Sequence, residues 1–185
     1  MSNLFTAVGL GLGAGVNAYA TLLMFGLLAR WKPLMFKSEM ATFFASTPVL
    51  IVVAVLYVVE FLADKVPAID HAWDVVHTFI RPAAGALVGW AATSQDVPKG
   101  VVIIASVLAG GAALTTHTAK ATLRAASTAT TAGIANPVLS LFEDLFAFVN
   151  AIIAVLLPWI VAVVVVIVTI FFLQLSRRYR KRDAF

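Results

Sequence analysis

The sequence predicts an all-α fold, a polytopic membrane bundle of six transmembrane helices arranged as two inverted three-helix repeats. Hydrophobic residues make up 62% of the chain and charged residues 12%, and the mean hydropathy is +0.99. This composition is typical of integral membrane proteins. A spanning helix needs about 20 apolar residues, so 185 residues accommodate five or six spans and little else. The absence of cysteine excludes disulfides, thiolate metal sites and cysteine nucleophiles.

The first predicted helix carries glycines at alternate positions near its start. They form two overlapping GxxxG pairs, Gly9/Gly13 and Gly11/Gly15, which favour close approach of another helix. An alternative is a broken helix whose freed backbone and Asn17 line a cavity. A phosphate-binding loop is disfavoured because no strand precedes the glycines.

Prolines and charged residues mark the ends of the remaining predicted helices. Pro67 closes the second helix, and a small-residue segment, STATTAGIANP, follows the fourth and resembles a mobile loop. The predicted bounds of the six helices are Leu4–Ala29, Pro48–Lys65, Ile69–Thr93, Lys99–Ser127, Pro137–Leu157 and Pro158–Arg178.

The C-terminal apolar stretch leaves five or six spans open. Leu145–Ser176 contains no charge and is long for one span but short for two. Pro158 favours two helices joined by a tight turn, because proline breaks or kinks a helix. A single kinked and tilted helix is the alternative, which would leave five spans.

The two halves of the chain show a weak internal repeat. Their middle helices both open with Pro-Val-Leu, at Pro48 and Pro137, and both end at a proline. We expect residues 1–95 to form the first repeat, residues 96–176 the second, and residues 177–185 a basic cytoplasmic tail. Three spans followed by three spans give opposite orientations, as in many small transporters.

The basic cluster Arg177–Arg182 predicts the orientation in the membrane. Lys and Arg flanking a span mark its cytoplasmic side, so an even number of spans places both termini in the cytoplasm. The cluster could also bind anionic lipid head groups. Nucleic-acid binding is not expected, because no aromatic residues are interleaved with a basic face. The glycine-rich faces favour a homo-oligomer.

Ionisable residues gather in one half of the predicted bundle. Asp70, Asp74, His77 and Arg81 follow helical spacing on one face. Glu60 lies seven residues before Pro67, and Glu143 lies six residues after Pro137. With a rise of about 1.5 Å per residue, both carboxylates lie about 10 Å inside the cytoplasmic boundary. Charges inside a membrane are costly and are functional candidates.

These positions provide the predicted site. Glu60 and Glu143 would bind a cation or proton together, and Asp74 and His77 would relay protons or add ligands; Asn17 completes the ion-binding set. We expect the remaining charged residues to compensate these charges: Arg81, Lys120, Asp64, Asp70, His117 and Asp144. No set of His and Asp residues has a spacing diagnostic of a metal site, so the sequence does not identify a metal. No cofactor is expected.

Three stretches of the sequence resemble a known family. They are GLGAGVNAYATLL, VEFLADKVPAIDHAWDVVHTFIRPAAGAL and NPVLSLFED. Together they resemble a bacterial membrane family described as a domain of unknown function (number four-one-two-six). The resemblance supports the helix boundaries and implies no activity. A weaker likeness links Glu60–Lys65 to the Glu-x-Gly-Asp-Lys motif of small inverted-repeat cation exchangers.

Three functions are consistent with these patterns. The first is a small ion- or proton-coupled transporter with a charged site in the cytoplasmic half of the bundle. The second is a membrane scaffold or lipid-interacting subunit, supported by the GxxxG pairs and the basic tail. The third is an intramembrane acid–base enzyme, but no nucleophile with an adjacent base is evident, so we do not expect an enzyme.

Overall fold

The computed structural model is all-helical over the residues that it describes. It describes the backbone of residues 2–93 and 96–182, and the side chains of that part except at 2–3, 67–72, 172–173 and 175–182. The described residues form eight helices and no strand. In chain order they are α1 (Ser2–Val16), α2 (Ala18–Trp31), α3 (Glu39–Ala45), α4 (Thr47–Ala63), α5 (Pro67–Ala91), α6 (Lys99–Thr131), α7 (Asn136–Leu156) and α8 (Pro158–Arg182).

The first predicted helix is interrupted, which corresponds to the broken-helix alternative. Asn17 leaves the helical conformation, with φ −144° and ψ 109°, and separates α1 from α2. Its side-chain oxygen accepts a hydrogen bond of 2.8 Å from the backbone N–H of Ala20. Asparagine is among the preferred residues at a helix N-cap, so the break has a local cause in the sequence.

A short helix, α3, precedes α4, where the sequence predicted none. The Ser38 hydroxyl accepts a 3.0 Å hydrogen bond from Ala41 N–H and donates one of 2.7 Å to the Ala91 carbonyl at the end of α5. The axes of α3 and α4 form an angle of 65° at their break. A helix of 7 residues is too short to show a clear hydrophobic period.

The segment predicted as a mobile loop is largely helical, and that prediction is corrected here. Helix α6 continues to Thr131, and the turn occupies only 132–135, where Ala132 and Gly133 have φ values of 51° and 83°. The hydroxyl of Thr131 donates to the Ser127 carbonyl at 2.8 Å. Threonine can therefore satisfy its own hydroxyl within a helix, so a polar run does not by itself end one.

Helices α7 and α8 are separate, as Pro158 predicted. Leu157 is non-helical, and Pro158 is the first residue of α8. Proline is well suited to the first turn of a helix because its missing N–H has no helical partner there. The break confirms two helices in this region.

Small residues fill the centre of the bundle. Helix α1 contacts α2, α5, α6, α7 and α8. The interior contains many fully buried alanines, among them Ala7, Ala14, Ala105, Ala109, Ala113, Ala147, Ala151 and Ala154. Gly11 packs directly against α6, because a Cβ at Gly11 would lie 2.7 Å from the Ala109 Cα. The predicted close approach of a neighbouring helix at the glycines is therefore observed.

The outer surface is apolar, which is consistent with a membrane location. Exposed side chains include Ile103, Val107, Phe142 and Trp159. By length and composition, two described helices, α6 and α7, could cross a membrane, or three if α3 and α4 form one bent span. Helices α1 and α2 and residues Pro158–Phe171 are apolar but shorter. The six-span inverted repeat remains a prediction.

Replacing Gly11 with alanine should destabilise the protein. The added methyl overlaps the α6 backbone, and overpacking costs about 1–3 kcal/mol. The matched control is Gly111→Ala on α6, because nothing lies within 4 Å of a Cβ there and a helical Gly→Ala change gains up to about 1 kcal/mol. Thermal unfolding in detergent should show a lower midpoint for Gly11→Ala only. Equal midpoints for the two variants would contradict the close packing of α1 on α6.

Candidate functional site

One face of α5 turns its ionisable side chains into the bundle. His77 and Arg81 are completely buried, and the Asp74 side chain is 14% exposed. Val76, on another side of the helix, is 51% exposed. The predicted inward face is confirmed for Asp74, His77 and Arg81, whereas the side chain of Asp70 lies outside the described residues.

Arg81 is the centre of a first ionic group. Its Nη2 donates to Glu60 Oε1 of α4 at 2.9 Å, and its Nη1 lies 3.4 Å from Asp74 Oδ1 and 2.7 Å from His117 Nδ1 of α6. His77 Nε2 lies 3.7 Å from Glu60 Oε1. We call Glu60, Asp74, His77, Arg81 and His117 the Arg81 group. It joins three helices inside the protein.

A second group surrounds Arg124. Asp64, at the end of α4, places Oδ2 3.0 Å from Arg124 Nη2 and 3.5 Å from Lys120 Nζ. Glu143 Oε2 of α7 lies 3.2 Å from Lys120 Nζ and also accepts from Arg124 Nη2. We call Asp64, Lys120, Arg124 and Glu143 the Arg124 group. Two carboxylates thus share two bases.

The two groups meet along α4 but divide the predicted carboxylate pair. Glu60 pairs with Arg81, and Glu143 pairs with Lys120 and Arg124. Asp64, one turn after Glu60, is the residue that shares its bases with Glu143. The predicted single site for Glu60 and Glu143 is therefore replaced by two adjoining ones. The sequence predicted the position of each carboxylate along its helix. It did not predict the rotation of the helix, which determines the neighbours that the carboxylate faces.

The break between α1 and α2 lies beside these groups. Asn17 Nδ2 donates to Asp144 Oδ1 of α7 at 2.8 Å, and Lys120 Nζ donates to the Val16 carbonyl at 3.1 Å. A helix C-terminus attracts a cation and a helix N-terminus attracts an anion. Lys120 and Asp144 therefore match the ends of the two half-helices in charge. Asn17 therefore lies at the site, where it contacts the Asp144 carboxylate instead of lining a cavity.

Two contributors were missing from the predicted site. Arg124 is 1% exposed and bonds two carboxylates, and Ser140 accepts a 3.1 Å hydrogen bond from Lys65 Nζ. The i, i+3, i+7 spacing of His117, Lys120 and Arg124 was the signal for Arg124. Ser140 gave a weaker signal, because a serine in an apolar helix commonly bonds its own backbone.

Several buried polar atoms in the site have no hydrogen-bond partner among the described residues. They are Glu60 Oε2, Asp64 Oδ1, Asp144 Oδ2, His77 Nε2 and Arg81 Nε. Leaving such atoms unsatisfied costs about 1–3 kcal/mol each, and more when the group is charged. The described side chains alone therefore do not satisfy these atoms.

A surface groove reaches part of the site. A groove of about 340 Å³ lies between α6 and α7 and is lined by Lys120, Glu143 and apolar side chains such as Leu123 and Phe142. Glu60, by contrast, is completely buried. Within the described part of the chain, no group of three His, Asp or Glu residues has the geometry to hold a metal ion.

Comparison with known proteins identifies a family without an activity. The family model described as "Domain of unknown function (DUF4126)" matches residues 4–178. This match confirms the resemblance seen in the three sequence stretches. Comparisons with curated proteins and with solved structures gave no match.

Replacing Arg124 with glutamine should strongly destabilise the protein. The change leaves Asp64 and Glu143 with Lys120 as their remaining shared base, and breaking a buried ion pair costs about 3–5 kcal/mol. Arg30→Gln is the matched control, because Arg30 is exposed and its described contact is a 3.1 Å hydrogen bond to Thr47. Thermal unfolding in detergent is the measurement. The double variant Arg124→Gln/Glu143→Gln should recover part of the loss, and no recovery would contradict the pairing.

Proposed function

We propose that this chain, which belongs to the DUF4126 family, is a small ion- or proton-coupled membrane transporter. The observation that carries the proposal is the interrupted α1–α2 helix, whose two ends meet Lys120 and Asp144 within a buried ionic network. Many transporters bind their substrate or coupling ion at such helix breaks. The proposal assigns ion binding to this site and no catalytic step.

The burial of the network supports a function over a purely structural role. Replacing buried ion pairs by apolar residues is often neutral or stabilising. Glu60, Arg81 and Arg124 are each at most 1% exposed in a chain otherwise rich in alanine, valine and leucine. Stability alone therefore gives a weak reason to keep so many ionisable groups there, whereas ion binding gives a direct one.

The incomplete satisfaction of the network points the same way. A purely structural network should pair each of its atoms, because a partly satisfied buried network is costly. Here Glu60 Oε2, Asp64 Oδ1 and Asp144 Oδ2 each lack a partner. These oxygens could receive a proton or a cation during transport without displacing an existing protein contact.

A scaffold function is the second candidate, and it also has an observation in its favour. Both ionic groups link helices through direct pairs, and Glu60 lies out of reach of solvent. A network that only fastens helices would have this form. The two candidates differ in what neutralising Glu60 does, since a scaffold loses stability alone and a transporter also loses flux.

We further propose a bacterial inner-membrane location with both termini in the cytoplasm and a self-associating chain. The basis for the orientation is the Arg177–Arg182 cluster together with a predicted even number of spans. The basis for the location is the resemblance to a bacterial membrane family, and self-association stays a prediction, because Gly11 and its neighbouring glycines pack within the chain. The side chains of that cluster lie outside the described residues. Binding of anionic lipid head groups by the cluster belongs to the same proposal.

Neutralising Glu60 should abolish transport in proteoliposomes. Purified protein is reconstituted and assayed for flux of protons, divalent cations and small organic ions. Glu60→Gln keeps the side-chain volume but removes the charge, so flux should fall at least about tenfold, the equivalent of about 1.4 kcal/mol. Glu39→Gln is the matched control, because Glu39 is exposed in the first turn of α3.

The same variants decide between transporter and scaffold. Both candidates expect Glu60→Gln to lower the unfolding midpoint in detergent, because the buried Arg81 loses its 2.9 Å partner. The transporter proposal also expects the protein that remains folded in the proteoliposomes to lose flux. A large drop in the midpoint with wild-type flux in the surviving protein favours the scaffold. Absence of flux in the wild type for all three classes of ion would refute the proposal.

Reporter fusions should place both termini in the cytoplasm. A reporter active only in the cytoplasm, and one active only outside it, are fused separately to each end of the chain. The cytoplasmic reporter should be active at both ends, because the basic cluster fixes the C-terminus and an even span count returns the chain to the same side. An external N-terminus would indicate an odd number of spans and exclude the inverted repeat.

A further inference from the structure

The protonation of His117 follows from its hydrogen-bond partners. Its Nδ1 lies 2.7 Å from Arg81 Nη1, and a guanidinium can only donate, so Nδ1 must carry a lone pair. Its Nε2 lies 3.0 Å from the hydroxyl oxygen of Thr78. That hydroxyl already donates to the Asp74 carbonyl at 3.0 Å, so Nε2 must donate to it. His117 is therefore fixed as a neutral imidazole with its proton on Nε2.

His77 is held in the opposite tautomer. Its Nδ1 lies 2.9 Å from the Trp73 carbonyl, which can only accept, so Nδ1 carries the proton. Its Nε2 is buried without a hydrogen-bond partner and lies 3.7 Å from Glu60 Oε1. In the neutral imidazole this nitrogen presents a lone pair toward a carboxylate, which is unfavourable. A proton on Nε2 would instead point toward Glu60.

The groups that face His77 come from several helices. Burial of the His77 ring and the positive charges of Arg81 on α5 and Lys120 on α6 oppose a proton on His77, whereas the Glu60 carboxylate of α4 favours one. The ring of Tyr19 from α2 packs edge-on at a centroid distance of 5.6 Å, and the Trp73 ring lies at 5.2 Å. His117 is already held neutral by Arg81. Among these neighbours, only Glu60 provides an acceptor for a proton on Nε2.

The charge of the surrounding region favours one additional positive charge. Its described side chains include five carboxylates and four bases when both histidines are neutral. The carboxylates are Glu60, Asp64, Asp74, Glu143 and Asp144, and the bases are Lys65, Arg81, Lys120 and Arg124. One proton on any member balances this set, and uncompensated buried charge is costly. The buried His77 Nε2 that faces Glu60, rather than the count of charges, selects the position of that proton.

We infer that the coupling ion of the proposed transporter is a proton, held between His77 Nε2 and the Glu60 carboxylate, with His117 kept neutral. The coupling role of this proton rests on the proposed transport function, whereas the proton site itself does not depend on flux. The proton comes from water and forms an N–H bond at Nε2, which converts the imidazole to imidazolium. It returns to water when that bond breaks, and no other reactant is required.

The test is a titration of the histidine side chains by nitrogen NMR. The chain contains three histidines, so selective ¹⁵N-histidine labelling in lipid nanodiscs gives few signals. His71→Asn and His117→Asn assign two of them, and the remaining pair of nitrogen signals belongs to His77. This assignment does not require a His77 variant to fold.

The expected result distinguishes the two buried histidines. At high pH, His77 should show the proton on Nδ1 and His117 the proton on Nε2. On acidification His77 should become doubly protonated while His117 keeps its neutral tautomer. In Glu60→Gln the protonated fraction of His77 at a given pH should fall about tenfold, because the facing anion is gone. Exposed Glu39→Gln should leave the titration unchanged.

Other outcomes overturn the inference. They are a neutral His77 from pH 9 to pH 5, a His77 tautomer with its proton on Nε2, or a titration unaffected by Glu60→Gln. If His77 titrates as expected but proteoliposomes show no flux, the proton site stands and the transporter proposal fails. If flux is present while His77 stays neutral, transport stands and the proton site fails.

Discussion

The buried guanidinium of Arg81 is the constraint on which much of the structure depends. Removing an arginine from water costs several kcal/mol, and partners from the surrounding protein must replace the lost hydration. Arg81 obtains them from Glu60 on α4, Asp74 on its own helix and His117 on α6. These contacts require three helices to stay at fixed distances and rotations. The same requirement fixes the tautomer of His117, because arginine cannot accept a hydrogen bond.

The small residues of the bundle make these contacts reachable. Gly11 of α1 and Gly85 of α5 both lie against α6, where side chains larger than hydrogen would overlap Ala109 or Ala113. Close backbone approach brings the helix axes together, so short side chains such as Thr78 of α5 can reach partners on neighbouring helices, here His117 of α6. Packing and electrostatics are therefore linked, since a bulkier seam between these helices would also separate their charges.

Sequence reasoning located the helices better than it located the contacts between them. Pro158 and the inward face of α5 were correctly predicted, because a missing N–H and a helical period are local properties. Asn17 was recognised only as an alternative break, since an N-cap residue is also tolerated within a helix. Lys120 was predicted to compensate a carboxylate, but the role of Arg124 and the separation of Glu143 from Glu60 were not predicted, because they depend on helix rotation and tilt, which no local pattern specifies.

The contacts between helix pairs differ in how rigidly they are packed. The seam between α1 and α6 is crossed by direct backbone packing at Gly11, which leaves no room for displacement without overlap. Helices α6 and α7 contact each other sparsely, and their seam is crossed by the ion pairs of Glu143 with Lys120 and Arg124. Ion pairs between long side chains tolerate changes in helix spacing that close-packed backbones do not. The groove that reaches Lys120 and Glu143 already lies along this seam. The contact between α6 and α7 therefore depends on side-chain charges and borders a groove, whereas the contact between α1 and α6 depends on close backbone packing.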